Sequence, residues 1–438
     1  MNLCLFEDDA VDHLRPLVDT RPVWDLRLAL RSPRDTAVDA FQPDRIFLHC
    51  RSLVRAPADH RSRPDLVTRV PEGDVLFVNG RFVAAEGEAV ATIRRAVAEG
   101  APPTTFVDGD TVLAAWIPDA RTHLPADLLE GDAVPADAFA TSRSVDLSVQ
   151  TDAPLRRIDR PADLIDLLPD ALTRDVAARR GRYNILEDIY SRRDADVHES
   201  VIGVRSEDIV LEEGVTVRPG AILNASEGPI FVDRNATIAE QAVVRGPCYI
   251  GEQSQVKVGA NVHTSAFGTY CKIGGEVHDS IVHSFSNKSH AGFLGHSYLG
   301  RWCNLGADTN TSNLKNNYGE ISLYDAADRD FAGTGRQFMG LVMGDHSKCG
   351  INTMFNTGTV IGTCCNVYGG GFPPRYLPPF SWGSPEQGFT TYRLDKALEV
   401  AEHVLGRRDR AFTDAHRQNL TDLFEQTREE REELLGGG

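Results

Sequence analysis

The strongest constraint on the fold is a six-residue period that begins near Val197 and runs through most of the second half of the chain. An apolar residue opens each unit and a small residue often follows it, as in Ile250-Gly-Glu-Gln-Ser-Gln and Ile361-Gly-Thr-Cys-Cys-Asn. A period of six is neither helical nor that of an amphipathic strand; it is typical of a parallel β-helix, in which each hexamer forms one face of a coil. The apolar residue then points inward, and its small neighbour lets the chain turn the corner.

The six-residue pattern is interrupted at about 310–340. The interruption predicts a loop that leaves the coil, and loops held by a rigid scaffold commonly carry binding and catalytic residues. We therefore expect functional residues beside this segment.

The chain before the repeat predicts an α/β domain at 1–195. Strand-like apolar runs and helical spacing alternate there, at 3–6, 44–48, 75–78 and 111–117 for strands and at 89–98 and 161–175 for helices.

The chain after the repeat predicts a helical extension at 376–438, which leaves 196–375 for the β-helix. A stripe of apolar residues runs from Leu394 to Leu405 at helical spacing, and a second, charged helix is expected at 414–435. Such an extension most often packs on its own coil or on a neighbouring subunit, and binding of another partner is the less favoured alternative.

The composition excludes several classes of protein. The chain has 63 acidic and 46 basic residues, a net charge of −17, so its mean field repels nucleic acid. The sequence contains no run of 18 apolar residues, the length needed to span a membrane. The first apolar stretch is too short for a signal peptide. Eight cysteines without C-x-x-C spacing predict reduced thiols and a cytoplasmic protein.

Lysine is rare and unevenly placed. Five of the six lysines lie between Lys257 and Lys348, whereas 40 positive charges are arginine. An ammonium is a compact point charge, whereas a guanidinium is a planar fork. The clustering therefore indicates sites within the β-helix where a compact positive charge is preferred; chance is the alternative explanation.

The densest run of polar and aromatic residues is 287–318, which contains Tyr298-Leu-Gly and Asn304-Leu-Gly-Ala. This run resembles the acetyltransferase half of the bifunctional glucosamine-1-phosphate acetyltransferase and N-acetylglucosamine-1-phosphate uridyltransferase family, a left-handed β-helix. Together with Thr20-Arg21-Pro22-Val23, Asn79-Gly80-Arg81 and Phe380-Ser-Trp-Gly, it is similar to the sugar-nucleotidyltransferase proteins related to that family.

The resemblance implies transfer of an acetyl group from acetyl-CoA to an amino-sugar phosphate by a homotrimer whose sites lie between neighbouring subunits. His290 falls on the catalytic base that takes a proton from the sugar amine, a task that suits an imidazole near pH 7. A solvated or stacked histidine on a coil face is the structural alternative.

The same resemblance implies substrate-binding residues. Phe293 falls on a substrate-contacting tyrosine and lacks its hydroxyl, while Asn304 and Asn313 fall on amide positions that hold the amino sugar or its acyl group. Lys288 and Lys315 flank the expected site and are candidates for binding the sugar phosphate. A further phosphate-binding lysine of the family falls on His278, which is a departure from the pattern.

His278 and His283 also suggest a metal site, because His-x4-His on coil corners resembles part of the zinc site of trimeric γ-class carbonic anhydrases. Zinc needs about three protein ligands and a water molecule. His263 is the nearby upstream candidate, and its spacing does not match that class. We therefore favour two surface histidines and predict no metal site.

The N-terminal domain lacks the glycine-rich phosphate loop of ordinary sugar-1-phosphate nucleotidyltransferases. Its first predicted strand is followed by Glu7-Asp8-Asp9, three charges that repel a triphosphate. Arg15, Arg21 and Arg27 could bind nucleotide phosphates as guanidinium forks, with a packing or surface-charge role equally open.

Asn79-Gly80 predicts a type I′ hairpin turn ahead of Arg81. By analogy with nucleotidyltransferases, Asn79 and Arg81 are weak candidates for a site that holds an NTP and Mg²⁺. An amide oxygen replaces a carboxylate there poorly, because it lacks the charge that Mg²⁺ favours.

Three functions follow from these observations. The leading hypothesis is acetyl transfer by the β-helix, joined to a nucleotidyltransferase-like domain. The second is nucleotidyl transfer to a sugar 1-phosphate, with a β-helix that only trimerises or regulates. The third is a non-enzymatic assembly protein that binds a nucleotide sugar.

Overall fold

A computed structural model of the chain describes residues 1–62, 66–139, 141, 143–149, 155–180 and 194–436. Within these residues no helix has the length and apolar character needed to cross a membrane. All eight cysteines are buried and none forms a disulfide.

The N-terminal part of the chain forms a mixed sheet of six strands surrounded by helices. The strands are β1 Asn2–Phe6, β2 Arg45–Leu48, β3 Val75–Asn79, β4 Thr104–Asp108, β5 Thr111–Ile117 and β6 Arg143–Asp146. The helices are α1 Pro33–Phe41, α2 Ser52–Ser62, α3 Glu88–Ala98, α4 Ala120–His123 and α5 Pro161–Arg180. The strand order is β2-β1-β3-β5-β4-β6, with β5 antiparallel to both of its neighbours.

The apolar runs expected to be strands and the two expected helices are confirmed. The hairpin predicted at Asn79-Gly80 is wrong, because β3 pairs with β1 and β5 and not with the residues after the turn. Close packing explains the glycine at position 80 instead, because a Cβ there would lie 2.7 Å from Val23 Cγ1 and 3.2 Å from Trp24 Cε3.

The second part of the chain is a parallel β-helix with three faces, here named A, B and C. Its first coils contain β7 Asp196–Val197, β8 Ile202–Val204, β9 Ile209–Leu211, β10 Thr216–Val217, β11 Ile222–Asn224, β12 Ile230–Val232, β13 Thr237–Ile238, β14 Val243–Ile250, β15 Gln255–Val256 and β16 Asn261–Phe267. The middle coils contain β17 Lys272–Ile273, β18 Glu276–His278, β19 Ile281–Val282, β20 Asn287–Lys288, β21 Phe293–Gly295, β22 Tyr298–Leu299 and β23 Asn310–Thr311.

The later elements are β24 Ile321–Asp325, β25 Asp330–Arg336, β26 Leu341–Met343, β27 Lys348–Cys349, β28 Met354–Phe355, β29 Thr359–Ile361, β30 Asn366–Val367, β31 Tyr376–Leu377, β32 Ser381–Ser384 and β33 Gly388–Thr391. Face A includes β15, β17, β20 and β27; face B includes β18 and β21; face C includes β19, β22 and β26. The long strands β14 and β16 bend at a register shift and run from face B onto face C.

The interior of the β-helix is filled by the apolar residue of each hexamer, in rows that follow the strand register. On face A, Val256 pairs with Ile273, and Ile273 pairs with Lys288. A lysine therefore occupies a position that the other coils fill with an aliphatic side chain.

The predicted departure from the coil at 310–340 is confirmed, with one difference. β23 still pairs within the coil, and β24 and β25 form an antiparallel hairpin that projects before the coil resumes at β26. The segment is thus an ordered arm rather than an irregular loop.

The N-terminal domain packs on face C of the β-helix. Side chains of α5 and of the segment 11–28 share one apolar cluster with outward residues of face C such as Phe231, Tyr249 and Tyr298. At the same joint the Arg21 guanidinium forms an ion pair with Asp345, and both side chains are buried. Faces A and B remain available for chemistry.

The coil continues past the predicted boundary at 375, because β31 and β32 still pair with coil strands. The helices that follow are α6 Leu394–Gly406, α7 Asp414–Gln426 and α8 Arg428–Leu435, so the second predicted helix is divided at Thr427. The extension packs on its own chain: Asn419 Nδ2 donates to the carbonyls of Asp19 and Leu53 at 3.1 and 2.9 Å. The predicted fold class, an α/β domain, a parallel β-helix and a helical extension, is confirmed.

Candidate active site

A row of three imidazoles runs along face B. His263 on β16 pairs in register with His278 on β18, and His296 follows β21 directly. The rings of His263 and His278 stack with centroids 4.7 Å apart and planes 10° apart, and His296 meets His278 edge-on at 5.6 Å. Parallel coils bring equivalent positions to about 4.8 Å from one another, so side chains distant in sequence become neighbours.

A carboxylate orients the middle imidazole. His278 Nδ1 lies 2.9 Å from Asp279 Oδ2, and His296 Nε2 lies 3.8 Å from the same oxygen. Because an ionised carboxylate only accepts, the proton of His278 is assigned to Nδ1, which leaves a lone pair on Nε2. His278 and Asp279 therefore form a dyad of the kind that prepares an imidazole to act as a base.

The charge states of the row follow from its surroundings. Burial lowers the pKa of His296 against the opposing effect of Asp279, and burial together with the neighbouring His278 lowers the pKa of His263. Burial alone would raise the pKa of Asp279, but the His278 hydrogen bond and the surrounding imidazoles outweigh it and lower that pKa. At neutral pH the row thus holds neutral imidazoles at 263 and 296 around an ionised carboxylate.

Gly295 lies beside the dyad and is closely packed by Phe293 and Asn313; these three residues are here called the cradle. A Cβ on this residue would lie 2.6 Å from Phe293 Cζ, 2.6 Å from Asn313 Nδ2 and 3.0 Å from His278 Cε1. Asn313 Nδ2 is also 3.0 Å from His296 Nδ1. The structure thereby brings Phe293 and Asn313, two of the predicted substrate residues, against the histidine row.

His290 lies apart from the row, on the exposed corner between β20 and β21. Among the residues that the structure describes, none makes a hydrogen bond to its imidazole. Its backbone is held in place instead, because the carbonyl accepts a hydrogen bond of 2.7 Å from Lys288 Nζ.

Lys288 does not fit the predicted role as a substrate ligand. Its side chain is 1% exposed, and Nζ donates to the carbonyls of Gly274, His290 and Ala291 at 3.1, 2.7 and 2.9 Å. An ammonium has three donors, so none is left for a phosphate. Burial lowers the pKa of Lys288 to about 8, against the weaker effect of Asp308.

Asn304 and Lys315 lie outside the cradle. Asn304 is exposed on face A, where its Oδ1 accepts from Asn287 Nδ2 at 3.5 Å and its side chain lines a separate cavity. Lys315 lies in the segment that leads to the β24–β25 arm, and its Nζ donates to the backbone carbonyl of Glu320. The residues predicted to form one site are thus divided between two faces and an arm.

The predicted alternative of a zinc site at His278 and His283 is wrong in its pairing. His283 is buried, its Nδ1 accepts the Ser284 N–H at 2.8 Å, and it follows β19 on face C. Five residues carry the chain to another face, so the two imidazoles cannot share an ion. His263, His278 and Asp279 do place one donor atom each within 4.8 Å of one another, as do His13, Asp325 and Asp328.

His263, Asp279 and His296 were not among the predicted site residues. The signal that could have found them is the spacing of 15 residues from His263 to His278 and 18 from His278 to His296. Such distances match one coil of three hexamers, with a shortened corner in the first case.

Three of the N-terminal arginines predicted to bind nucleotide do not fit phosphate binding. Arg15 Nε donates to Asp19 at 2.9 Å, and Arg21 is paired with Asp345. Arg81 is paired with both Asp8 and Asp159. Their charges are already neutralised by carboxylates, four residues away for Arg15 and distant along the sequence for Arg21 and Arg81.

Asn79 is likewise committed to protein contacts. Its Nδ2 donates to Asp8 Oδ2 at 2.8 Å and to the Val112 carbonyl at 3.1 Å, and its Oδ1 accepts the Arg81 N–H at 2.9 Å. Glu7, at the end of β1, accepts from the Val23 N–H at 2.8 Å and from Arg51 Nε at 3.1 Å. The predicted residues therefore do not fit an NTP and Mg²⁺.

Comparisons with known proteins agree with the predicted resemblance. Residues 3–182, the N-terminal domain, match the family model described as sugar nucleotidyl transferase. The Bifunctional protein GlmU of Synechococcus elongatus is 27% identical over 180 residues, which cover 39% of this chain and 36% of that protein. The protein of the same name from Synechococcus sp. strain CC9311 is 26% identical over 226 residues, which cover 43% and 45%.

The matched segments span less than half the length of these relatives. Among solved structures, a UDP-N-acetylglucosamine acyltransferase from Campylobacter jejuni aligns with 52% of this chain and 95% of its own, at 12% identity and a TM-score of 0.26. The resemblance to sugar nucleotidyltransferases is confirmed for the N-terminal domain by the family match.

Proposed function

We propose that the β-helix transfers an acetyl group from acetyl-CoA to the amine of an amino-sugar phosphate. The observation that carries this proposal is the His278–Asp279 dyad at 2.9 Å, set beside the cradle formed by Phe293, Asn313 and Gly295. The dyad supplies a base, and the cradle supplies an amide and an apolar ring that can hold a sugar.

In the proposed reaction the sugar amine attacks the thioester carbonyl carbon while His278 Nε2 accepts the proton that the amine loses. The C–S bond then breaks, and the CoA thiolate leaves and takes up a proton. The Asp279 carboxylate keeps the His278 ring in the required tautomer and stabilises the imidazolium that forms.

His290 remains the alternative base. The resemblance favours His290, whereas the geometry favours His278, because a carboxylate orients His278 and no described side chain orients His290. A base whose ring is already oriented loses less conformational entropy in the transition state.

The test measures thiol release from acetyl-CoA with glucosamine 1-phosphate as acceptor. His278→Ala is expected to lower kcat by about 10²–10⁴-fold, the usual contribution of a general base. Asp279→Asn is expected to lower kcat, since the carboxylate that orients the His278 ring and stabilises the imidazolium is lost. His198→Ala, an exposed histidine elsewhere on the β-helix, serves as the matched control.

Two results would decide against this assignment. Full activity in His278→Ala together with loss of activity in His290→Ala would make His290 the base. Absence of acetyl transfer to every amino-sugar phosphate tested would reject the proposed reaction itself.

A homotrimer is part of the proposal. Val258 and Ile351 are 63% and 68% exposed and lie on the corner between faces A and B, the same corner that carries His290. A second copy that covered this corner would remove both side chains from water and place His290 at a subunit boundary. Light scattering should give three times the chain mass, and Val258→Asp with Ile351→Asp should lower it.

Nucleotidyl transfer from an NTP to a sugar 1-phosphate is the second candidate, and the match of residues 3–182 to the sugar nucleotidyl transferase family supports it. Pyrophosphate release from UTP, dTTP or GTP with a panel of sugar phosphates measures it directly. Ligand-induced thermal stabilisation without turnover in either assay would favour the non-enzymatic alternative.

A further inference from the structure

A second cavity, here called the basic pocket, lies between face A and the C-terminal end of α6. Its volume is about 420 Å³, within the range of small-molecule sites. Side chains of β17, β20 and β27 form one wall, and the residues that follow α6 form the other. The basic pocket is separate from the histidine row, which lies on face B.

The basic pocket concentrates positive charge in a chain whose net charge is −17. Lys272, Lys348, Arg407 and Arg408 line it. None of these four has a carboxylate of the described residues within ion-pair distance. The charges thus lie together without the acidic partners that neutralise buried arginines such as Arg21, Arg51 and Arg81.

The electrostatic neighbours of Lys272 show the same imbalance. Its pKa is lowered first by burial and then by the charges of Arg408, Lys257 and Arg407, all of which are cations. The C-terminal dipole of α6 accounts for a preference for arginine at 407 and 408, but it does not account for the lysines on face A. A bound anion would relieve this repulsion.

One wall of the basic pocket is aromatic. Phe285 and Trp302 stack with centroids 4.2 Å apart and planes 8° apart, and Tyr270 continues the stack below Phe285 at 5.7 Å. Because the rings cover one another's faces, the wall presents ring edges, against which the face of a flat ligand ring can pack edge-to-face.

The floor of the basic pocket offers unused polar atoms. Asn287 Oδ1 is shielded from solvent and accepts no hydrogen bond within the described chain. Asn304 lies beside it. An unpaired buried acceptor is unfavourable, and a hydroxyl or amino group of a ligand would satisfy it by donating a hydrogen bond.

The basic pocket borders the corner between faces A and B that the donor must cross to reach the histidine row. Ser289 lines it, and the next residue is His290 on the corner between faces A and B. A ligand whose phosphates lie among the four cations could therefore extend a flexible arm over this corner.

We propose that the basic pocket binds the nucleotide end of the acyl donor, an adenosine carrying several phosphates. This inference rests on the proposed acetyl transfer, because it locates the donor of that reaction. The phosphates lie among Lys272, Lys348, Arg407 and Arg408, the base lies along the Phe285–Trp302 wall, and Asn287 accepts from the ligand.

The experiment is calorimetric titration of the full chain with CoA, with adenosine 3′,5′-bisphosphate and with UTP. Lys272→Ala and Arg408→Ala are each expected to weaken CoA binding at least tenfold, and the bisphosphate should bind in the same place and lose affinity in parallel. Lys396→Ala, an exposed lysine on α6 outside the basic pocket, should leave CoA binding unchanged. Circular dichroism of each variant checks that it is folded.

The outcomes separate this proposal from the proposed function. Unchanged CoA affinity in a Lys272→Ala/Arg408→Ala double variant would overturn the basic pocket as the donor site, even if acetyl transfer occurs. Loss of UTP binding alone would assign the pocket to a free nucleotide and also overturn it. CoA binding that depends on both residues, without acetyl transfer, would reject only the reaction.

Discussion

The ion pair between Arg21 and Asp345 joins the N-terminal domain to the β-helix, and its removal is the sharpest test of that joint. Arg21 is 0% and Asp345 2% exposed, so neither charge has water as an alternative partner. Replacing Arg21 by Met leaves a buried carboxylate without its counter-charge, and breaking a buried pair in this way costs about 3–5 kcal/mol. We expect the free energy of unfolding of Arg21→Met to fall by that amount.

Asp345 provides an independent measure of the same interaction. Burial alone would raise its pKa, but the Arg21 charge and the Thr20 and Arg21 hydrogen bonds lower it to about 2. With an unfolded value near 3.8, the difference corresponds to about 2 kcal/mol. Because the folded pKa is depressed, this stabilisation is present above pH 3.8 and is lost as the pH falls toward 2.

Urea unfolding followed by tryptophan fluorescence suits the test, because Trp24 is buried three residues from Arg21. The double variant Arg21→Met/Asp345→Asn should be destabilised by less than the sum of the single variants, since it leaves no unpaired charge. Lys396→Met, which breaks an exposed pair with Glu399, should leave the free energy of unfolding nearly unchanged. A cost in Arg21→Met no larger than in Lys396→Met would refute the reasoning.

Two further predictions concern the site. Gly295→Ala places a methyl group where Phe293 and Asn313 now lie, so the ends of these side chains must move. We expect kcat/KM for the sugar acceptor to fall at least tenfold, with little shift of the thermal unfolding midpoint. Unchanged kinetics would contradict a role of the cradle in binding the sugar. Lys288→Met removes the donor that holds the His290 carbonyl. Because burial lowers the pKa of Lys288 to about 8, the free energy of unfolding of the wild type should rise between pH 8 and 10.5. Urea unfolding over this pH range should show no such rise in the variant.

The histidine row illustrates how far the sequence reaches toward the site. The hexamer period predicted a coil up to about 310, and the resemblance singled out Phe293 and Asn313, which the structure places against the histidine row. The resemblance did not identify the Asp279 carboxylate, because contact between His278, His296 and Asp279 depends on the length of each corner. One residue more or fewer at a corner moves a side chain to another position in the stack.

The lysines show the opposite case. Their concentration between Lys257 and Lys348 was visible in the sequence, and Lys272 and Lys348 do line the basic pocket. Lys288 was expected to bind phosphate but is directed inward, since it takes the interior position of its hexamer beside Ile273. Position within the period, rather than proximity to other functional residues, decided its role.

The sequence by itself determined the β-helix, the strands and helices of the flanking regions and the departure from the coil at 310–340, because these depend on periodicity and on local apolar spacing. Only the tertiary structure decided which charges are neutralised. Arg21, Arg81 and Glu7 find partners 324, 78 and 44 residues away, and such distant pairs leave no local pattern. The same long-range packing leaves Lys272 and Arg408 unpaired, so the location of free charge is a property of the folded chain.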